Sequence, residues 1–221
     1  MIESLRTRSL SIAIVLAALV LATLACQAPS TADLLAAPGD VLYRDDFTDP
    51  SSGWSRGATD GGSTDYAGGG YRITVTAPGY NYWATPGLSF GNVRVEADAL
   101  KFGGPEINRI GLICRYRDAA NFYFFIISSD GYYGIGKVKD GQTQLLGASQ
   151  MQPAAAVHPG TVDNRLRADC NGSTLAFYVN DQPVGLAVDH DLAGGDVGIL
   201  AGAFDEAGVD VLFDNFTVYK P

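Results

Sequence analysis

Apolar and polar residues alternate in short runs along this chain from about residue 41 onward, and the period is two rather than the 3.6 of a helix. In 71–76, Tyr71, Ile73 and Val75 share one face against Arg72, Thr74 and Thr76. In 93–100, Val93, Val95, Ala97 and Ala99 oppose Arg94, Glu96 and Asp98. This is the pattern of a strand with one buried face. Further runs at 41–47, 110–116, 121–128, 132–138, 143–146, 165–170, 174–179, 197–201 and 209–219 bring the series to about eleven predicted strands. Asp130-Gly131 and Asp140-Gly141 suit type I′ hairpin turns, and Asn180-Asp181 also favours a turn. Gly-rich 61–70 lacks the lysine of a phosphate loop and opens no helix, so it reads as a mobile loop; 147–160 reads as a long connection. Many short strands joined by Gly-rich turns imply an all-β sandwich.

The turns also predict a register. A two-residue turn at Asp130-Gly131 sets Ser128 opposite Tyr133 and Phe124 opposite Lys137, and a four-residue turn at 118–121 sets Arg115 opposite Phe124. One face then carries Arg115, Arg117, Phe122, Phe124, Ile126, Tyr133 and Lys137. The other carries Leu112, Cys114, Tyr116, Tyr123, Phe125 and Ile127 and reads as core. A bulge at Asn121 would exchange the two faces.

The first 25 residues break the pattern. Arg6 and Arg8 precede a charge-free apolar run from Ser9 to Ala25, which is short for a membrane span and ends in a small residue. Those features fit an export signal. Thr23-Leu24-Ala25-Cys26 resembles the lipobox of bacterial lipoproteins, with Thr where Leu is more usual. The resemblance implies a diacylated Cys26 and an extracytoplasmic protein held to the membrane by its N-terminal lipid. Residues 26–39 are rich in Ala, Pro, Ser and Thr and read as a flexible tether reaching on the order of 20 Å. Residues 40–221 then form a single domain.

Composition narrows the partners. The chain holds 15 basic and 24 acidic residues, and removing the two Arg and one Glu of the signal leaves 13 and 23, a net charge of −10. Such a charge disfavours nucleic acid and anionic lipid as partners. With Cys26 taken by lipid, Cys114 and Cys170 remain, both in the apolar phase of their strands, and an exported protein retains disulfides. A Cys114–Cys170 bridge is therefore expected. No Cys/His spacing suggests zinc, and His158 and His190 stand in loop-like sequence.

Asp45-Asp46-Phe47 with Gly53-Trp54, then Gly111-Leu112-Ile113-Cys114-Arg115-Tyr116, Asn121-Phe122-Tyr123 and Asp130-Gly131-Tyr132-Tyr133, and finally Phe177-Tyr178-Val179-Asn180, Gly195-Asp196-Val197-Gly198 and Phe213-Asp214-Asn215-Phe216, together resemble concanavalin A-like lectin/glucanase domains, the laminin-G-like jelly rolls. The resemblance implies a two-sheet antiparallel jelly-roll sandwich over 40–221, with sugars met on a concave face or at loops along its edge. It leaves function open, because this sandwich hosts lectins, glycosidases, lyases and adhesion modules.

Glucanases of this fold carry Glu-x-Asp-x-Glu, or a form one residue longer, on one strand. Here Glu96-Ala97-Asp98 supplies two carboxylates, but Leu100 and Lys101 occupy both positions of the third. A retaining mechanism needs that acid/base. The sequence therefore leans away from an enzyme and toward a non-catalytic glycan-binding or surface-interaction module. A hydrolase of modified (3-keto) sugars and a ligand-free spacer are the alternatives. Arg115, Arg117, Phe124, Tyr133 and Lys137 are the expected ligand-binding residues, with Glu96 and Asp98 as counter-charges and Trp83 as an edge aromatic. No cofactor is expected. A structural calcium is considered where first and last strands meet, at Asp46 and Asp214.

Overall fold

The computed structural model describes residues 35–221; the expected export signal, the expected lipidation site at Cys26 and most of the expected tether lie outside the described residues. The strands are β1 (Val41–Asp45), β2 (Gly57–Thr59), β3 (Gly62–Ala67), β4 (Gly70–Val75), β5 (Asn81–Ala84), β6 (Val93–Gly103), β7 (Asn108–Asp118) and β8 (Asn121–Ser128). They continue as β9 (Tyr132–Lys139), β10 (Gln142–Leu145), β11 (Gln152–Pro153), β12 (Asp163–Asn171), β13 (Thr174–Val179), β14 (Gln182–Val188), β15 (Asp196–Ala203) and β16 (Val209–Tyr219). All pair antiparallel, in two sheets. The nine-stranded sheet runs β14-β13-β12-β6-β16-β4-β3-β2, with β1 also on β16. The seven-stranded sheet runs β10-β9-β8-β7-β15-β5, with β11 also on β9. This is the concanavalin A-like sandwich.

The interior is built by the alternation seen in the sequence. Tyr71, Ile73 and Val75 of β4, Val93 to Ala99 on the odd positions of β6, and Leu112 and Cys114 of β7 are buried between the sheets. At one end Phe47, Trp54, Tyr71 and Phe216 pack ring against ring, at centroid distances from 4.8 to 5.6 Å. Buried Asp45 anchors that knot, accepting from the Trp54 indole at 3.0 Å and the Phe47 amide at 2.8 Å. The Cys114–Cys170 disulfide joins β7 to β12, one from each sheet, with Cα atoms 6.8 Å apart.

Three expectations are corrected. The 61–70 stretch is a hairpin, β3 turning into β4 through Gly68-Gly69, both at positive φ (65° and 80°). Gly62 is required there, since a Cβ would lie 2.3 Å from the Thr74 carbonyl oxygen. Second, Asp140-Gly141 is a two-residue turn, but Asp130-Gly131 belongs to a three-residue loop: Ser128 pairs with Tyr132, leaving 129–131 between the strands. Ser129 is held by Asn108, whose side chain accepts from its amide (3.2 Å) and donates to its hydroxyl (2.9 Å), and Gly131 takes φ 96°. A three-residue loop closing with a residue at positive φ is the other common hairpin geometry. It shifts the register by one, so Tyr123 faces Lys137, Phe125 faces Ile135 and Phe124 faces Gly136.

The third correction is a bulge in β7. Cys114 pairs with Tyr123 and Asp118 with Asn121, so β7 carries two residues more than β8 across that interval. Arg115 takes φ 53° within it. The bulge turns Arg115 inward beside Cys114 and sends Tyr116 outward, against the period-two expectation.

Candidate functional site

The outward face of the seven-stranded sheet is apolar. The register puts Ile113 beside Phe124, and Leu200 beside both Gly111 and Trp83. These residues, with Phe122 and Ile126, form a hydrophobic cluster separate from the interior, and Trp83, Tyr116, Val138, Leu145 and Met151 pack around it. Glycines set its depth: Phe124 lies over Gly136, where a Cβ would stand 2.2 Å from the ring, while Leu145 and Met151 close over Gly134. The result is an open groove of about 500 Å³ running from Asn81 and Arg109 to Gly141, Thr143 and Met151.

Aromatic rings dominate one wall. Trp83 and Tyr116 are half-buried, and each ring stands 5.7 Å from Phe122, tilted by 41° and 39°. Arg109 occupies the end of the groove. Its guanidinium lies 3.6 Å above the Phe204 ring and donates to Asn81 Oδ1 at 3.0 Å and to the Ala203 carbonyl at 2.9 Å. Burial pushes its pKa down, and the nearby Asp205 charge opposes that shift. The groove therefore combines a stacking surface with a planar cation and an amide.

Two of the sequence-predicted ligand residues, Trp83 and Phe124, line this groove. Arg117 is exposed beyond its lining, donating to the Gly194 carbonyl at 3.4 Å. Arg115, Tyr133 and Lys137 lie on the opposite side of the sheet from Phe124. Tyr133 packs against the interior core and covers Gly185. Arg115 is 2% exposed and donates to the Leu192 and Gly172 carbonyls, both at 2.7 Å, and to Asn92. Lys137 is ion-paired with Asp189 and with Asp191 at 2.6 Å, and Tyr123 also donates to Asp189. Burial alone would raise the Asp189 carboxyl, but the Lys137 ammonium and Tyr123 hydroxyl outweigh it and hold it low. Tyr123 is pushed up to about 12, by burial first and then by Asp189. This network fastens the 189–195 connection to the end of the sandwich. Arg109, Asn81 and Phe204 escaped the sequence reading. Arg109 precedes the apolar run of β7, and only the pairing of Gly202 with it and with Asn81 brings the three together.

Glu96 and Asp98 are on the other sheet, so they are not counter-charges to the aromatic face. They share a hollow of about 350 Å³ with Arg44, Arg165, Asn215 and Thr217. Arg165 pairs with Glu96 at 2.7 Å, and Asn215 donates to Asp98 at 2.9 Å. Lys101 turns between the sheets to meet Glu106 at 2.9 Å. Asp46 lines the same hollow and accepts from Thr48, while Asp214 accepts from the Asn215 amide. Among the described residues no three His, Cys, Asp or Glu side chains cluster for metal binding.

No protein-family model matches the chain, and neither does any curated protein. Solved structures do match. A carbohydrate-binding module, CBM66, from Bacillus subtilis superposes with a TM-score of 0.61 at 19% identity, over 76% of this chain and 95% of that one. A galectin-like-fold protein of unknown function from Bacillus subtilis gives 0.63 at 13% identity, over 83% and 97%. A GlcNAcα1-4Gal-releasing endo-β-galactosidase from Clostridium perfringens gives 0.60 at 10%, over 84% of this chain and 64% of the enzyme. At these identities the likeness is one of fold.

Proposed function

We propose that this chain is an exported, lipid-anchored glycan-binding module whose ligand lies in the aromatic groove on the outward face of the seven-stranded sheet. The observation that carries the proposal is the groove itself: half-buried Trp83 lines it together with Phe122 and Phe124, which are 6% and 7% exposed, on the outward face of the sheet. An open groove lined mainly by apolar and aromatic side chains with a few polar groups at its margin is the usual form of a small-ligand site. Aromatic rings fit the apolar faces of sugars, and Asn81, Arg109 and Thr143 supply hydrogen bonds at its margins. The carbohydrate-binding module among the fold's neighbours supports the same reading. A glycan array probed with residues 40–221 tests it. Binding to defined glycans that is lost in Trp83→Ala is expected; binding indifferent to Trp83→Ala overturns the groove as the site.

A hydrolase is the second reading, favoured by one observation: Glu96 and Asp98 face a common hollow. Against it, Glu96 is ion-paired with Arg165, position 100 is Leu, and Lys101 points inward. Release of reducing sugar that is abolished in Glu96→Gln would establish the enzyme and displace the binding-module reading.

A further inference from the structure

Resting on the groove as the glycan site, we infer that its ligand is an acidic sugar, a hexuronate whose carboxylate is received by Arg109. Three observations converge on this residue. First, its guanidinium is held in place: it stacks 3.6 Å above Phe204 and is bonded by Asn81 Oδ1 and the Ala203 carbonyl. Second, its fixed partners are all neutral. Arg56, Arg72, Arg94, Arg165 and Arg167 each pair with a carboxylate of the chain; Arg109 has no such pair among the described residues, and neither do Arg115 and Arg117, but of these three Arg109 is the one that lines the groove. Asp205 is near enough to favour its charge but forms no ion pair with it. Third, Arg109 lines the same open groove as Trp83 and Phe122.

A partly desolvated guanidinium without a counter-ion is costly, and a planar carboxylate matches its donor geometry. A hexuronate presents that carboxylate at the rim of a ring whose faces suit an aromatic wall. The net charge of the domain, strongly negative, weighs against densely charged polyanions and favours one carboxylate delivered locally over a field of them. An alkyl carboxylate would also satisfy the cation, but an open trough walled by tilted rings leaves an acyl chain wetted along its length.

The experiment compares short neutral oligosaccharides bearing a single galacturonate or glucuronate residue with their carboxyl-reduced counterparts, which keep linkage and ring but lose the charge. Calorimetric titration is run with wild type, Arg109→Gln, Arg109→Lys and Trp83→Ala, each checked for folding by its thermal transition. The expected result is that an acidic oligosaccharide binds wild type about tenfold or more tightly than its reduced form, the scale of one charge-assisted hydrogen-bond pair. Arg109→Gln removes that preference, Arg109→Lys retains part of it, and Trp83→Ala weakens acidic and reduced forms alike. Equal affinity for the two forms in wild type overturns the acidic ligand while leaving the groove standing. Unchanged affinities in Trp83→Ala overturn the groove itself. Binding of decanoate with no oligosaccharide binding at millimolar concentration overturns the glycan class.

Discussion

Lys137 and Arg115 are cations whose work is done inside the fold. Lys137 joins the two carboxylates of Asp189 and Asp191, and all three belong to the lock on the 189–195 connection. Lys137→Met should cost about 1–3 kcal/mol in urea unfolding, the range for hydrogen bonds to charged groups, and leave glycan affinity unchanged. The pair also sets a pH window. Asp189 is held below the usual carboxylate value of 3.8, so its share of stability is present above that value and is lost as pH falls through the depressed one. Lys137 is raised above 10.5, first by its bond to Asp189 and then by Asp191, so its share is present below 10.5 and is lost as pH rises through the raised value. Unfolding measured across pH should show both losses in wild type and neither, to that extent, in Lys137→Met. At the opposite end, Lys101 is 1% exposed and answers to Glu106 alone as ion-pair partner among the described residues. Glu106→Gln leaves a buried ammonium without its counter-charge and should cost about 2 kcal/mol, reduced from the fully buried case because Glu106 is half-exposed. Lys101→Met removes the charge with the need for it and should be close to neutral by the same measurement.

At the scale of elements, two devices decide which residues reach the surface: the three-residue loop at 129–131 and the bulge around Arg115. Gly136 makes the first of them visible. Because Phe124 lies over it, Gly136→Ala should push the ring out of the groove floor, destabilise the domain by about 1–3 kcal/mol and weaken glycan binding together with stability. The disulfide ties β7 to β12 at a sequence separation of 56, and its loss in Cys114→Ser/Cys170→Ser should cost about 4 kcal/mol on the chain-entropy account, read by urea unfolding. The same two devices explain what was legible in the sequence. The alternation in β4 and β6, the Asp140-Gly141 turn and the pairing of the two cysteines could be read because each follows from local pattern or from compartment. The sequence pattern places Phe122, Phe124 and Ile126 on one face, and they share one. Period-two counting puts Arg115 and Lys137 on the wrong face, because it cannot detect a residue at positive φ in mid-strand and Asp-Gly serves two- and three-residue loops alike. Arg109 needed the pairing of β15 with both β7 and β5, a contact between segments far apart in the chain.

Across the whole molecule the two outward faces differ in kind. The nine-stranded sheet presents cross-strand charges, Asp169 opposite Arg94 and Arg167 opposite Glu96, which suits contact with water. The seven-stranded sheet presents rings and aliphatic side chains around an open groove, which suits a ligand. On the proposed anchorage the tether precedes β1, which pairs with β16, the last strand of the described residues; Cys26→Ser should release the protein from the membrane fraction or block its processing, and membrane retention at the mature mass would refute the lipid anchor. The groove is tested most directly through the chain's two tryptophans. Trp54 is buried in the aromatic knot and Trp83 stands on the groove wall, so a nitrogen-15 NMR titration with an array-selected glycan reads both indoles at once. The account predicts that the Trp83 indole signal moves to saturation with the binding isotherm while the Trp54 signal stays in place; a glycan that binds and leaves the Trp83 signal unmoved would contradict it.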